Sequence, residues 1–335
     1  MSLNISISKT VLLTGAGFTK DFGGFLAEEM WSFIFNSPSL DSFPRVKDLL
    51  RRDFSYESVY HDIIDGKYAP EEKDRIKKAV NSAYDRLDEN IRQYKSRNMS
   101  GNILANATSA TNFIREFESP NANRGFFFTL NQDMFVERYC RDAIGLSTPG
   151  VTIQDISQDR ELDQLAYQQL PNDDTVAKFN NKNLLSTARL LYIKLHGSYN
   201  WRDASGNSYM VIGKAKEDLI SKEPLLKYYF ELFKNVLSSG NVKLFVIGYG
   251  FNDEHINKVI ADSIWHNGLR LHIMNQVAQD AFSRVLPKKP HCESLWEVIK
   301  CYYPYTISMV FPPDGKAISS TIQYAQIMEN FFERQ

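Results

Sequence analysis

Lys9-Thr10-Val11-Leu12-Leu13-Thr14-Gly15-Ala16-Gly17-Phe18-Thr19 decides the fold. A β-branched and leucine run feeds into Gly-Ala-Gly, and a helical pattern follows. This is the grammar of a buried strand that ends in a tight turn beneath a helix N-terminus. The first glycine permits the turn, and the second lets the backbone approach an anion such as pyrophosphate. Gly15 and Gly17 give G-x-G, but Lys20 stands where a third glycine would complete a dinucleotide fingerprint, and the stretch is not a Walker A loop. A tight strand-to-helix turn of any α/β fold accounts for it equally well.

Outward from this turn, strands and helices alternate. A helix is expected over 23–36, where Phe25, Leu26, Met30, Trp31, Phe33 and Ile34 are apolar. Residues 40–118 contain no convincing strand. Pro70 opens a charged helix to about Lys95, with Ile76, Val80, Ala83, Leu87, Ile91 and Tyr94 in one stripe, and another helix follows over 102–118. The whole stretch reads as a helical insertion with charged, solvated outer faces. Phe126 to Thr129 is a short apolar strand, followed by a helix over 134–143. Residues 145–185 read as loop or lid. Strands follow at 190–195, 242–247, 269–274 and 306–310. Helices are expected at 215–238, interrupted at Pro224, at 253–266, and at 318–333. The pattern predicts an α/β fold with a doubly wound, mainly parallel sheet. The core comprises 1–39 and 119–335, with the insertion at 40–118.

Composition limits the function. The 335 residues are 43% hydrophobic, enough for a sizeable core, and the formal net charge of -1 argues against a general nucleic-acid or anionic-membrane binder. Three cysteines, Cys140, Cys292 and Cys301, form no C-x-x-C pair, so a four-cysteine zinc ribbon is impossible and no metal is expected. No run of 18 apolar residues and no leader pattern occurs, so a cytoplasmic protein that does not span a membrane is expected.

Ligands of such sheets sit past the strand ends. Those positions hold Gly15-Ala16-Gly17, then Asn131-Gln132-Asp133, His196-Gly197-Ser198, Gly248-Tyr249-Gly250-Phe251 and Asn275. Each has a plainer account. Asn131 and Asp133 serve equally as caps of the next helix, His196 as a core histidine, and Gly248 as turn geometry. Asp253 and His255 are metal-ligand types but read better as caps of the 253–266 helix.

The ordered set resembles the sirtuin family. Gly15-Ala16-Gly17-Phe18-Thr19, Thr129-x-Asn131-x-Asp133, Leu195-His196-Gly197-Ser198, Gly248 and Asn275 follow its motifs in order. The family's Gly-Ile-Pro-Asp-Phe-Arg tail is replaced by Gly23 to Glu28, its second-motif Gln is Leu130, and its Thr-Ser after Gly248 is Tyr249-Gly250. The Gly-Ala-Gly-Phe-Thr-Lys and Gly-Tyr-Gly-Phe-Asn-Asp-Glu-His-Ile-Asn stretches look like the sirtuin-like domains of bacterial antiphage defence. The resemblance implies a Rossmann-like core and NAD+ as substrate, hydrolysed to nicotinamide and ADP-ribose. It implies Asn131, Asp133 and His196 as catalytic. Gly15, Ala16, Gly17, Phe18, Thr19, Asp133, Gly248, Tyr249 and Asn275 would bind the nucleotide. A homo-oligomer or a separately encoded defence partner is expected to gate it. A weak NAD or ADP-ribose sensor or scaffold, and a protein deacylase or ADP-ribosyltransferase, are the competing readings.

Overall fold

A computed structural model describes residues 7–94, 106–119, 124–140, 145–151, 167–179, 189–312 and 318–334. The strands are β1 (Ile7–Thr14), β2 (Arg124–Thr129), β3 (Leu146–Ser147), β4 (Gln168–Gln169), β5 (Leu190–Lys194), β6 (Gly197–Arg202), β7 (Ser208–Met210), β8 (Lys243–Ile247), β9 (Arg270–Met274) and β10 (Cys301–Tyr303). Seven of them form one sheet in the order β10-β9-β8-β1-β2-β5-β3, parallel throughout.

Strand residues alternate between two cores, as a sheet covered on both faces requires. Leu12, Phe127, Tyr192 and Phe245 face one side with the helices Ala27–Phe35, Pro70–Arg92, Ala107–Arg115 and Ile322–Asn330. Val11, Leu13, Phe126, Phe128, Ile193 and Val246 face the other, against the helices Pro224–Leu237 and Glu254–Asn267. The sheet is doubly wound and Rossmann-like. From β1 the chain moves to β2 on one flank and later returns to β8 on the other, so the order reverses at β1. A crevice is expected there, outside the carboxyl ends of the strands.

Several elements differ from their sequence reading. The helix expected over 23–36 is confined to Ala27–Phe35, because Gly23 (φ +94°) turns the chain and a Cβ on Gly24 would meet the Thr19 carbonyl oxygen at 2.7 Å. Glu29 starts the helix by accepting the Leu26 amide at 2.8 Å. Residues 306–310 are not the last strand. The Thr306 hydroxyl accepts the Met309 amide and caps a short helix, Ile307–Val310, and the last strand is β10. The 145–185 stretch carries β3, β4 and the helix Asp173–Phe179, while 152–166 and 180–185 lie outside the described residues, as do 141–143 of the helix expected after β2. The sequence reading also missed the β6–β7 hairpin, which forms a second, small sheet with β4. The break at Pro224 is as expected: the helices Lys216–Lys222 and Pro224–Leu237 flank it.

Candidate active site

The tip of β1 and the tip of β8 interlock. The Gly15 amide donates to the Ile247 carbonyl, and the Gly17 amide to the Gly248 carbonyl, both at 2.9 Å. The Phe18 amide turns back to Gly15 O at 2.9 Å. A Cβ on Gly17 would meet Gly248 Cα at 2.8 Å, and one on Gly248 (φ +64°) would meet the Phe18 nitrogen at 2.3 Å. These glycines therefore serve first a backbone-to-backbone approach within the protein. Three amides of the expected anion cradle already have partners, and Ala16 is the exposed residue of the turn.

Two residues expected to touch a nucleotide bury their side chains. The Phe18 ring lies in the core among Phe22, Phe127, Phe135 and Phe311. The Tyr249 ring is buried against Phe251, and its hydroxyl bridges Asn257 Oδ1 at 2.9 Å and the Asp253 amide at 3.1 Å. Any ligand contact at these two positions would be through backbone. Asn275 holds its own turn, with Oδ1 accepting the Val277 amide at 3.0 Å and Nδ2 at 3.5 Å from Tyr249 O.

Past β2 the expected polar residues do converge. Asn131 Nδ2 donates to Thr19 Oγ1 at 3.3 Å, and Thr19 Oγ1 donates to Asp133 Oδ2 at 2.8 Å. The Asn131 amide donates to Thr129 Oγ1 at 3.1 Å, and Thr14 joins this from β1 at 2.8 Å. Asp133 Oδ1 accepts the Phe135 amide at 3.0 Å, so one oxygen holds the turn and the other faces Thr19. Burial pushes the Asp133 carboxyl above its usual range, against the opposing pull of the Lys194 ammonium and of these hydrogen bonds. Lys194, fully buried at the end of β5, donates to Glu137 Oε1 at 2.8 Å and also to the Asp133 carbonyl.

His196 follows Lys194 by two residues. Its carbonyl accepts Gln132 Nε2 at 3.1 Å, which ties the 131–133 loop to the His196 turn. Its ring is buried and turned to His255, with the two Nε2 atoms 3.0 Å apart. Among the described residues no hydrogen bond joins that ring to Asn131 or Asp133. Burial lowers the His196 imidazole well below its usual value. The Asp253 carboxylate opposes this, while Lys216 and His255 reinforce it. Asp253 does not cap its helix with its side chain, as the sequence had suggested. Its carboxylate pairs with Lys216 at 2.7 Å, and Lys216 also pairs with Glu57 at 2.7 Å. Burial raises the Asp253 carboxyl, but Lys216 and then His196 outweigh it and hold the group at about 2.

A family model for the SIR2-like domain matches residues 125–299. The chain belongs to the SIR2-like domain family. Such domains use NAD+, and the match spans Asn131, Asp133, His196, Gly248, Tyr249 and Asn275. The Gly15–Thr19 turn precedes the matched span, yet Thr19 bridges Asn131 and Asp133 by hydrogen bonds, so a residue outside the match joins this cluster. No curated protein matches the chain. Among the described residues no group of three or more His, Cys, Asp or Glu side chains could hold a metal ion, and no helix is long and apolar enough to cross a membrane.

In the sequence His255 reads as a helix cap and Lys194 as part of a strand. Lys216 falls in the helix expected over 215–238 and Gln132 between two expected site residues, and neither is given a role of its own by the sequence. Only the His255 type, two residues from Asp253 and just past a strand end, offered a signal.

Proposed function

We propose that the chain is a hydrolase of NAD+ that cleaves the bond between nicotinamide and ribose. The observation that carries the reading is the buried Asn131–Thr19–Asp133 chain, tied through Gln132 to the turn past β5 that holds a buried histidine kept neutral. Water attacks the anomeric carbon as its bond to the nicotinamide nitrogen breaks. The electron pair leaves with nicotinamide, which departs neutral from a cationic ring. The water proton passes to His196, and ADP-ribose is the second product. A base that is unprotonated at neutral pH suits that step. By similarity to sirtuins, Asn131 orders ribose and water, and Asp133 holds the nicotinamide amide. Gly15 to Thr19, Gly248 and Asn275 face pyrophosphate and adenosine.

An ungated activity of this kind would deplete its own cell of NAD+. The reading therefore includes a cytoplasmic effector of antiphage defence, switched by self-assembly or by a separately encoded partner. The Glu57–Lys216 ion pair and the hydrogen bond from Tyr84 to Gln132 give the helices of 56–92 a physical link to the site.

Nicotinamide release from NAD+, followed across size-separated fractions with and without an acylated peptide, tests this. Release without peptide is expected, and Asn131→Ala or His196→Ala should lower it by about 10²–10⁴-fold while leaving the fold intact. Full activity in both variants removes the residues from the mechanism. Binding without release in every fraction points to a sensor, and release only with peptide points to a deacylase.

A further inference from the structure

The His196 and His255 rings meet edge to edge inside the protein, with Nε2 atoms 3.0 Å apart and centroids at 5.2 Å. Only one hydrogen fits between two nitrogens at that distance. One ring must donate from Nε2, and the other must accept at Nε2 and carry its proton on Nδ1. For His196 to act as a base, its free lone pair must be on Nδ1, the nitrogen not engaged with His255. That requires His196 to be the Nε2–H donor and His255 the acceptor.

The surroundings accommodate one added proton shared between the two rings. Asp253, Glu254 and Glu217 attract a positive charge on His255, while Lys216 repels it and is itself held by Asp253 and Glu57. The Phe230 ring, 5.5 Å from His255 on the Pro224–Leu237 helix, adds no charge. A second proton would set two cationic rings and two N–H groups against each other.

We propose that His255 is a positioning residue for His196: it locks the base in its Nε2–H tautomer and shares the single proton that the base takes up. This rests on the hydrolase reading above. In the balanced step, water's oxygen bonds to the anomeric carbon and nicotinamide leaves with the electron pair. The proton goes to His196 Nδ1, and its charge spreads through the Nε2–H···Nε2 bond before release to solvent. His255 holds the second ring of an orienting pair, a role that second groups fill for many catalytic histidines.

Two measurements test it. In kinetics, His255→Ala should lower kcat by about 10–10³-fold with little change in KM, the pattern of an interaction made in the transition state. His255→Gln, whose amide oxygen reaches the acceptor position, should recover much of that loss. In nitrogen NMR of histidine-labelled protein, wild type should show complementary single tautomers. His196 should become a tautomer mixture in His255→Ala and return to Nε2–H in His255→Gln. Undiminished turnover in His255→Ala, with His196→Ala inactive, overturns the proposal and leaves the hydrolase reading standing. So does a His196 tautomer indifferent to position 255. Locked tautomers in a protein that never releases nicotinamide fail the hydrolase reading and not the lock.

Discussion

Gly17 and Gly248 touch backbone to backbone, and that contact sets what substitution costs. A methyl on Gly17 meets Gly248 Cα at 2.8 Å and Gly248 O at 3.0 Å, and neither atom can rotate away. Gly17→Ala should therefore cost about 1–3 kcal/mol by overpacking. Gly248→Ala should cost more, because its methyl meets the Phe18 nitrogen at 2.3 Å and φ is +64°, a left-handed conformation that adds about 1 kcal/mol or more for an L side chain. Urea denaturation of both variants checks the order. A Gly17→Ala protein of wild-type stability that had lost NAD+ affinity would instead assign the glycine to the ligand. The sequence marked these glycines because a strand ran into them, but it could not say whose backbone they admit. The partner loop lies more than 200 residues away, and only the β1–β8 pairing brings it near. Asn131, Asp133 and His196 stand out in the sequence for a different reason: each follows a short apolar strand, and strand ends are where parallel sheets expose polar chemistry. The structure joins Asn131 to Asp133 through Thr19 and turns the His196 ring to His255. Lys194 does not stand out, because a buried lysine looks like any other residue of its strand until Glu137 is placed against it.

The Pro70–Arg92 helix was legible in one respect and opaque in another. Its stripe of Ile76, Val80, Ala83, Leu87 and Ile91 is buried throughout, as the spacing requires. Its charged positions are not all solvated. Asp88 is buried, and Arg138 donates to it twice, Nε to Oδ1 at 3.0 Å and Nη2 to Oδ2 at 2.7 Å. Tyr84 donates to Gln132, whose amide holds the His196 and Val211 carbonyls at 3.1 and 3.0 Å. The stripe depends on local periodicity, whereas burial of Asp88 depends on a guanidinium 50 residues later. Asp88→Ala should cost about 1–3 kcal/mol, because it removes two charge-assisted hydrogen bonds to a buried guanidinium. The double variant Asp88→Leu/Arg138→Met should recover most of that, since an apolar pair removes both desolvation penalties. Urea titrations of the three proteins check this. A single variant within about 0.5 kcal/mol of wild type, the range of an ordinary surface change, would mean the pair holds nothing together.

At the scale of the whole molecule, the doubly wound sheet brings His196, His255 and His272 into the interior, and each imidazole is lowered chiefly by burial. His272 on β9 is held at about 4, first by burial and then by Lys243, Arg270 and Lys300, and its Nδ1 has no hydrogen-bond partner among the described residues. A histidine with a lowered folded pKa binds its proton first in the unfolded chain as pH falls. Its contribution to stability is full above about pH 6.5, the unfolded value, declines towards the folded value of about 4, and is level below it. The raised carboxyls of Asp88, Asp133 and Glu57 act in the opposite sense, because the folded protein keeps their protons longer than the unfolded chain does as pH rises. The total pH profile mixes both signs, so the histidine part is isolated by difference. His272→Leu keeps the apolar surface and removes the titration. Relative to this variant, wild type should lose up to about 3 kcal/mol between pH 6.5 and 4, at roughly 1.4 kcal/mol per pH unit of lowered pKa. Urea midpoints of both proteins at pH 7.5, 6, 5 and 4.5 measure that difference. Parallel curves would mean that the imidazole titrates alike in the folded protein and the unfolded chain, and that the interior of β9 carries no charge penalty.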